Sequence, residues 1–212
     1  MKLRNFISDS VQLAGVRIVN AAAKSGGYHV NRGIPYGPEP RNQLDHYVLH
    51  TGDAEDKVKR PLVLFIYGGN WQSGHRGNYR FVADTLCSLG YDVVVPDYRL
   101  YPNVRFSGIL ADVRMAITWV MNSEEIDSRR PIYVMGHSAG AQLGSLLCLN
   151  PALLSDLPGA EKRIAAFIGL SGPYDFYPYT EESHWDLFAP QHEYPLSQAV
   201  NFVRPEAPPL YL

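Results

Sequence analysis

Gly136-His137-Ser138-Ala139-Gly140 matches G-x-S-x-G, between a short β-rich run over 132–135 and the apolar stretch Ala139–Leu149. That setting is the strand–turn–helix in which the pattern carries chemistry. A tight turn lifts Ser138 Oγ out at the carboxyl end of a sheet, and the flanking glycines keep the turn clear of its neighbours. The amide of Ala139, at the helix start, is then free to donate to a developing oxyanion. Tyr67-Gly68-Gly69-Asn70-Trp71 ends a second apolar run, and glycines there let the backbone approach a ligand with its amides turned inward. A second oxyanion donor, from Gly69 or Asn70, would sit opposite Ala139. Each such donor is worth roughly 3–4 kcal/mol of transition-state stabilisation. This is the equipment of acyl transfer through a serine.

A serine hydroxyl is a poor nucleophile at neutral pH and needs a base, usually an imidazole oriented by a carboxylate. Asp175 follows the fourth β-rich run, and His184 and His192 fall in the aromatic-rich segment 174–202. These are the candidates for acid and base within the chain. His137 adjoins the nucleophile, so its side chain is expected to point away. His29, His46, His50 and His75 are scattered without metal-ligand spacing, so no metal is expected. Gly69 and Gly74 have the four-residue gap of a phosphate loop, but His75 stands where lysine is needed. No G-x-G-x-x-G follows a strand either, and no cofactor is expected. Trp71 and Tyr79 are expected to line the substrate pocket. Segment 174–202, with Phe176, Tyr177, Tyr179 and Trp185, reads as a lid or substrate-binding excursion over the active edge of the sheet.

The elements that must position these residues follow from the pattern. Apolar runs at 62–67, 93–95, 132–135 and 164–170 are too short for buried helices and end at Gly or Pro, which predicts a parallel sheet buried on both faces. Between them, Tyr79, Val82, Ala83, Leu86 and Leu89 share one helical face, as do Leu110, Val113, Ala116, Ile117 and Val120. Ala139–Leu149 is apolar nearly all round, as a helix against the sheet centre should be. Residues 44–50 add an antiparallel strand at the N-terminal edge. The expected fold is α/β: a three-layer α/β/α sandwich around a mostly parallel sheet with right-handed crossovers.

The motifs Y-G-G-N-W, D-Y-R-L-Y-P (97–102), G-H-S-A-G and S-G-P-Y-D (171–175) occur in this order. With them the chain, from Tyr36 onward, resembles α/β-hydrolases of the hormone-sensitive-lipase-like and carboxylesterase group. The resemblance implies a serine esterase acting on a small-molecule carboxylic ester, with Ser138 as nucleophile and Gly69, Asn70 and Ala139 as oxyanion donors. It implies that Asp97, Tyr98 and Arg99 support the oxyanion loop structurally. In this fold the acid and the histidine follow the serine in that order. The acid follows the strand expected to begin at Leu210, which puts both partners beyond Leu212 and makes this single domain (1–212) incomplete at its C-terminus. Tyr67 departs from the histidine usual in the H-G-G motif, leaving room for an arylformamidase-like amide hydrolase. A catalytically silent binding module is the other alternative.

Of the 212 residues, 46% are apolar, with 19 basic and 21 acidic side chains. A near-neutral chain without a basic run has no footprint for nucleic acid. Two cysteines, Cys87 and Cys148, make neither a disulfide framework nor a thiolate zinc site. No apolar run approaches the ~20 residues of a membrane span. Residues 1–25 open like a signal peptide, but Asp9, Gln12 and Arg17 interrupt the apolar stretch, so an amphipathic helix and a cytoplasmic location are expected.

Overall fold

A computed structural model describes residues 26–50 and 60–212. The expected helix over 1–25 lies outside the described residues. Seven strands form one sheet in the order β1-β2-β4-β3-β5-β6-β7. They are β1 (Tyr28–Pro35), β2 (Gln43–Leu49), β3 (Leu62–Ile66), β4 (Asp92–Pro96), β5 (Ile132–His137), β6 (Ile164–Leu170) and β7 (Leu210–Tyr211). Strands β4, β3, β5, β6 and β7 run parallel, while β1 and β2 are antiparallel to their neighbours. The α/β fold expected from the alternating runs is present.

Every residue of β3 and β4 is buried, which explains why these strands read as unbroken apolar runs. Helix α1 (Arg80–Ser88) buries Ala83 and Cys87, and α2 (Phe106–Asn122) buries Ile109, Val113, Ala116, Ile117 and Val120 at helical spacing. Helix α3 (Ala139–Leu149) is buried along its whole length and packs against β5 and β6. Two short helices, α4 (Ala160–Arg163) and α5 (Glu182–Leu187), follow among the described residues.

One expectation needs correction. The antiparallel strand expected at the edge is β2, and β1 lies outside it. Strand β1 carries Asn31, Arg32, Gly33 and Pro35 and a register irregularity between Asn31 and Ile34, with most of its residues partly or fully exposed. Such polarity and irregularity are how an edge strand avoids further pairing, and they hid it in the sequence.

At the opposite end of the strands from the serine turn, buried Asp92 pairs with Arg60 (3.2 Å) and Arg130 (2.8 Å) and accepts from Leu49 N (3.0 Å). Close to this cluster, His46 is buried edge-on to Trp119, and neither ring nitrogen has a hydrogen-bond partner among the described residues. Glu125 lies 3.8 Å from Nδ1 but is itself largely exposed. Burial therefore prevails, and the His46 imidazole is lowered from 6.5 to about 4. The native state holds His46 neutral where the unfolded chain would protonate it. The fold should lose stability as pH falls from about 6.5 towards 4, by up to about 1.4 kcal/mol per pH unit from this group. Denaturation across that range should show His46→Phe flattening the slope; an unchanged slope would contradict the assignment.

Candidate active site

Ser138 sits between β5 and α3 with φ 52° and ψ −121°. A non-glycine residue held there costs on the order of 1–3 kcal/mol and persists only when its surroundings over-determine it. Those surroundings are backbone. Ser138 N donates to Leu170 O of β6 (2.8 Å), and Ser138 O accepts from Ala141 N (2.9 Å) and Gln142 N (3.2 Å). A Cβ on Gly140 would run into the carbonyls of Ile66 and Tyr67, and one on Gly136 into Gly140 O. Only glycines let the start of α3 pack directly on the end of β3. Ser138 is half-buried, and among the described residues its Oγ has no hydrogen-bond partner.

The loop after β3 faces this turn: a Cβ on Gly68 would lie 2.9 Å from Ser138 Cβ. Three successive residues have positive φ: Gly69 (139°), Asn70 (51°) and Trp71 (58°). Four of the carbonyls from Tyr67 to Trp71 are engaged. Tyr67 O accepts from Tyr98 OH (2.7 Å) and Gly68 O from Tyr79 OH (3.3 Å). Gly69 O accepts from Gln72 N (3.0 Å) and Ser73 N (2.9 Å), and Trp71 O from Tyr101 N (3.0 Å). The amides of Gly69, Asn70 and Ala139 have no protein acceptor among the described residues. N–H groups without a protein acceptor are free to donate to an anion.

Behind the loop lies a buried ionic network. Asp97 accepts from Tyr67 OH (2.7 Å) and Arg76 N (2.7 Å), with the Arg76 guanidinium also on its carboxylate and His75 Nε2 3.3 Å away. Arg41 donates to Tyr98 O (2.9 Å), Tyr67 OH (3.1 Å) and Gly74 O (2.9 Å). Burial holds the Tyr67 and Tyr98 phenols well above the ordinary phenol range, so both remain donors. Arg99 grips buried Asp112 through its guanidinium (2.8 Å) and backbone N (2.8 Å). The D-Y-R element thus touches the loop from behind. Tyr67, standing where the family pattern has histidine, anchors that loop to Asp97.

The other candidates are placed as follows. Trp71 is 3% exposed and packs against Phe176 (5.8 Å), His184 (5.5 Å) and Phe188 (5.1 Å), while its Nε1 donates to Gln142 Oε1 (3.2 Å). Tyr79 stacks on Tyr67 (5.2 Å, 9°) and holds Gly68 O, which makes it a buttress of the loop. His184 Nε2 meets Asn70 Oδ1 at 3.1 Å, and burial lowers its imidazole below the ordinary value. Asp175 is exposed beside Tyr177, Tyr194 and Gln198, and forms no ion pair with a histidine among the described residues. His192 is 81% exposed beside Glu193. Asp175, His184 and His192 are therefore not assembled as an acid–base pair at Ser138. Gln142 escaped sequence reasoning: fully buried, it bridges Trp71 and Ser197 O (2.7 Å). Its signal was a lone amide inside the otherwise apolar Ala139–Leu149 run. Arg41 and Arg76 carried no signal, because their partners lie 21 to 57 residues away.

Comparison with known proteins adds to this geometry. The BD-FAE family model matches residues 49–211. A probable isoprenylcysteine alpha-carbonyl methylesterase of Arabidopsis thaliana is 32% identical over 161 residues, 73% of this chain and 37% of that protein. Esterase LipC of Mycobacterium tuberculosis is 32% identical over 165 residues, 74% of this chain and 40% of that protein. Kynurenine formamidase of Danio rerio is 30% identical over 145 residues, 68% and 46% of the two chains. The chain thus spans under half the length of these curated relatives. Among solved structures, esterase B of Lactobacillus rhamnosis superposes with a TM-score of 0.74 at 21% identity, over 98% of this chain and 72% of that one. At that identity the superposition shows the α/β-hydrolase fold.

Removing the hydroxyl that holds Tyr67 O should expose how firmly the loop is tied. Tyr98→Phe keeps the ring but leaves a buried carbonyl unpaired, and should destabilise the fold by about 1–3 kcal/mol in urea denaturation. A loss below about 0.5 kcal/mol would mean this bond does not tie the loop.

Proposed function

The chain belongs to the BD-FAE family of α/β-hydrolases, carboxylesterase-like in its relatives, and on that footing we propose that it hydrolyses a small-molecule carboxylic ester through an acyl-enzyme on Ser138. The observation that carries this reading is the juxtaposition at the turn. A strained, half-buried serine faces a loop in which the carbonyls of Tyr67, Gly68, Gly69 and Trp71 are held while the amides of Gly69 and Asn70 stay unspent among the described residues. In the proposed reaction Ser138 Oγ attacks the ester carbonyl, and the developing oxyanion takes hydrogen bonds from Ala139 N and from Gly69 or Asn70 N. Alkoxide departs with the proton that a base took from Ser138, and water then attacks the acyl-serine to release the acid. The base this step needs is an imidazole; His184 is engaged with Asn70 and His192 faces outward. The excursion over 174–202 serves in this reading as part of the substrate-binding cover.

A second reading is amide hydrolysis. It is favoured by the kynurenine formamidase relatives and by Tyr67 in the histidine position, and both reactions share the acyl-serine. Parallel assays on p-nitrophenyl acyl esters and N-formylanilides separate the two. The complete protein should turn over the esters, and Ser138→Ala should lower kcat by at least about 10⁴-fold, in line with loss of a serine nucleophile. It should also take up one fluorophosphonate per chain at Ser138. Full turnover by Ser138→Ala would refute both readings.

A further inference from the structure

Asn70 and Trp71 adopt the left-handed region at φ 51° and 58°, which Asn tolerates but a bulky Trp does not take without support. Part of their support is the turn itself, in which Gly69 O accepts from Gln72 N and Ser73 N, and part comes from outside the loop. His184 of α5 brings Nε2 to 3.1 Å from Asn70 Oδ1 and presses its ring edge-on to the Trp71 indole. With Asn70 Oδ1 as acceptor, Nε2 carries the proton. Phe176 and Phe188 close the remaining sides of the indole, and Tyr179 stacks behind Phe188 at 4.8 Å. Gln142 ties the indole N–H through its own amide to Ser197 O, within the 3-10 helix Gln191–Ser197. Ser183 Oγ lies 3.5 Å from Gln72 Nε2, a further stitch at the exposed side.

The His184, Phe176 and Phe188 contacts join the excursion to Asn70 or Trp71 of the loop after β3, and Gln142 bridges Trp71 to the excursion from α3. We infer that His184 is a positioning residue for the oxyanion loop. The excursion clamps Asn70 and Trp71 in their strained conformation through it, and the amides are thereby preorganised. This rests on the reading of Ser138 as an esterase nucleophile. A preorganised donor acts mainly on the transition state, so loosening it should lower kcat and leave KM nearly unchanged.

The test compares His184→Ala and His184→Gln in the complete protein, with Ser138→Ala as control. Glutamine keeps a donor able to reach Asn70 Oδ1. His184→Ala should lower kcat about 10-fold, with KM changed less than about twofold, and His184→Gln should recover most of the loss. Hydrogen exchange of the 68–73 segment, which does not depend on turnover, should accelerate in His184→Ala and return towards the parent rate in His184→Gln. Unchanged exchange and unchanged kcat in a folded His184→Ala would overturn the inference while leaving the esterase reading intact. A KM increase at constant kcat would overturn it too, assigning His184 to substrate binding. Accelerated exchange together with full activity in Ser138→Ala would uphold the clamp and sink the esterase reading instead.

Discussion

The backbone at Ser138 is held in a conformation that an L-residue avoids, and most of the surrounding architecture reads as what is needed to hold it there. Strand β6 contributes the Leu170 carbonyl that receives Ser138 N, and β5 delivers the chain into the turn. Helix α3 starts so close to β3 that a single methyl group on Gly140 would collide with two carbonyls. Because the strand ends are buried and parallel, the turn cannot relax sideways without breaking ladder pairs on both of its neighbours. The strain is thus a property of the sheet, concentrated at one residue.

The facing loop solves the complementary problem of keeping amides unsatisfied near a half-buried surface. Unpaired backbone groups are normally lost to the nearest acceptor. Here the carbonyls of Tyr67 and Gly68 are held by phenols, that of Trp71 by Tyr101 N, and that of Gly69 by the loop's own Gln72 and Ser73 amides. Asp97, with Arg76 and Arg41, then fixes the tyrosine that begins the loop. Buried Asp97 is paired with these partly buried guanidinium groups, so the network contributes position more than net stability. A tyrosine in place of histidine at position 67 fits this arrangement, because its hydroxyl reaches Asp97 while its ring stacks between Tyr79 and Tyr98.

The parts of the site legible in the sequence were those set by local rules. The glycine–serine spacing located the turn, and the four apolar runs located the parallel strands that present it, because both depend on neighbours within a few residues. The edge strand β1 was not legible, since Gly33, Pro35 and Arg32 serve its exposed position and resemble a loop. Tyr79 and Trp71 were recognisable as aromatic residues near the site, yet nothing local distinguishes a pocket wall from a buttress. Their roles follow from Gly68 O and Gln142, which come near only through the fold. The same holds for His184: 114 positions separate it from Asn70, and the excursion that carries it shows composition without periodicity.

Determining the structure of the complete protein after reaction with a small alkyl phosphonate would probe this account at its centre. The adduct fixes a phosphoryl oxygen where an oxyanion would form on a serine. The account predicts phosphorus bonded to Ser138 Oγ, with that oxygen about 2.7–3.1 Å from Ala139 N and from Gly69 or Asn70 N. An oxygen directed into solvent, with those amides turned towards other acceptors, would contradict it.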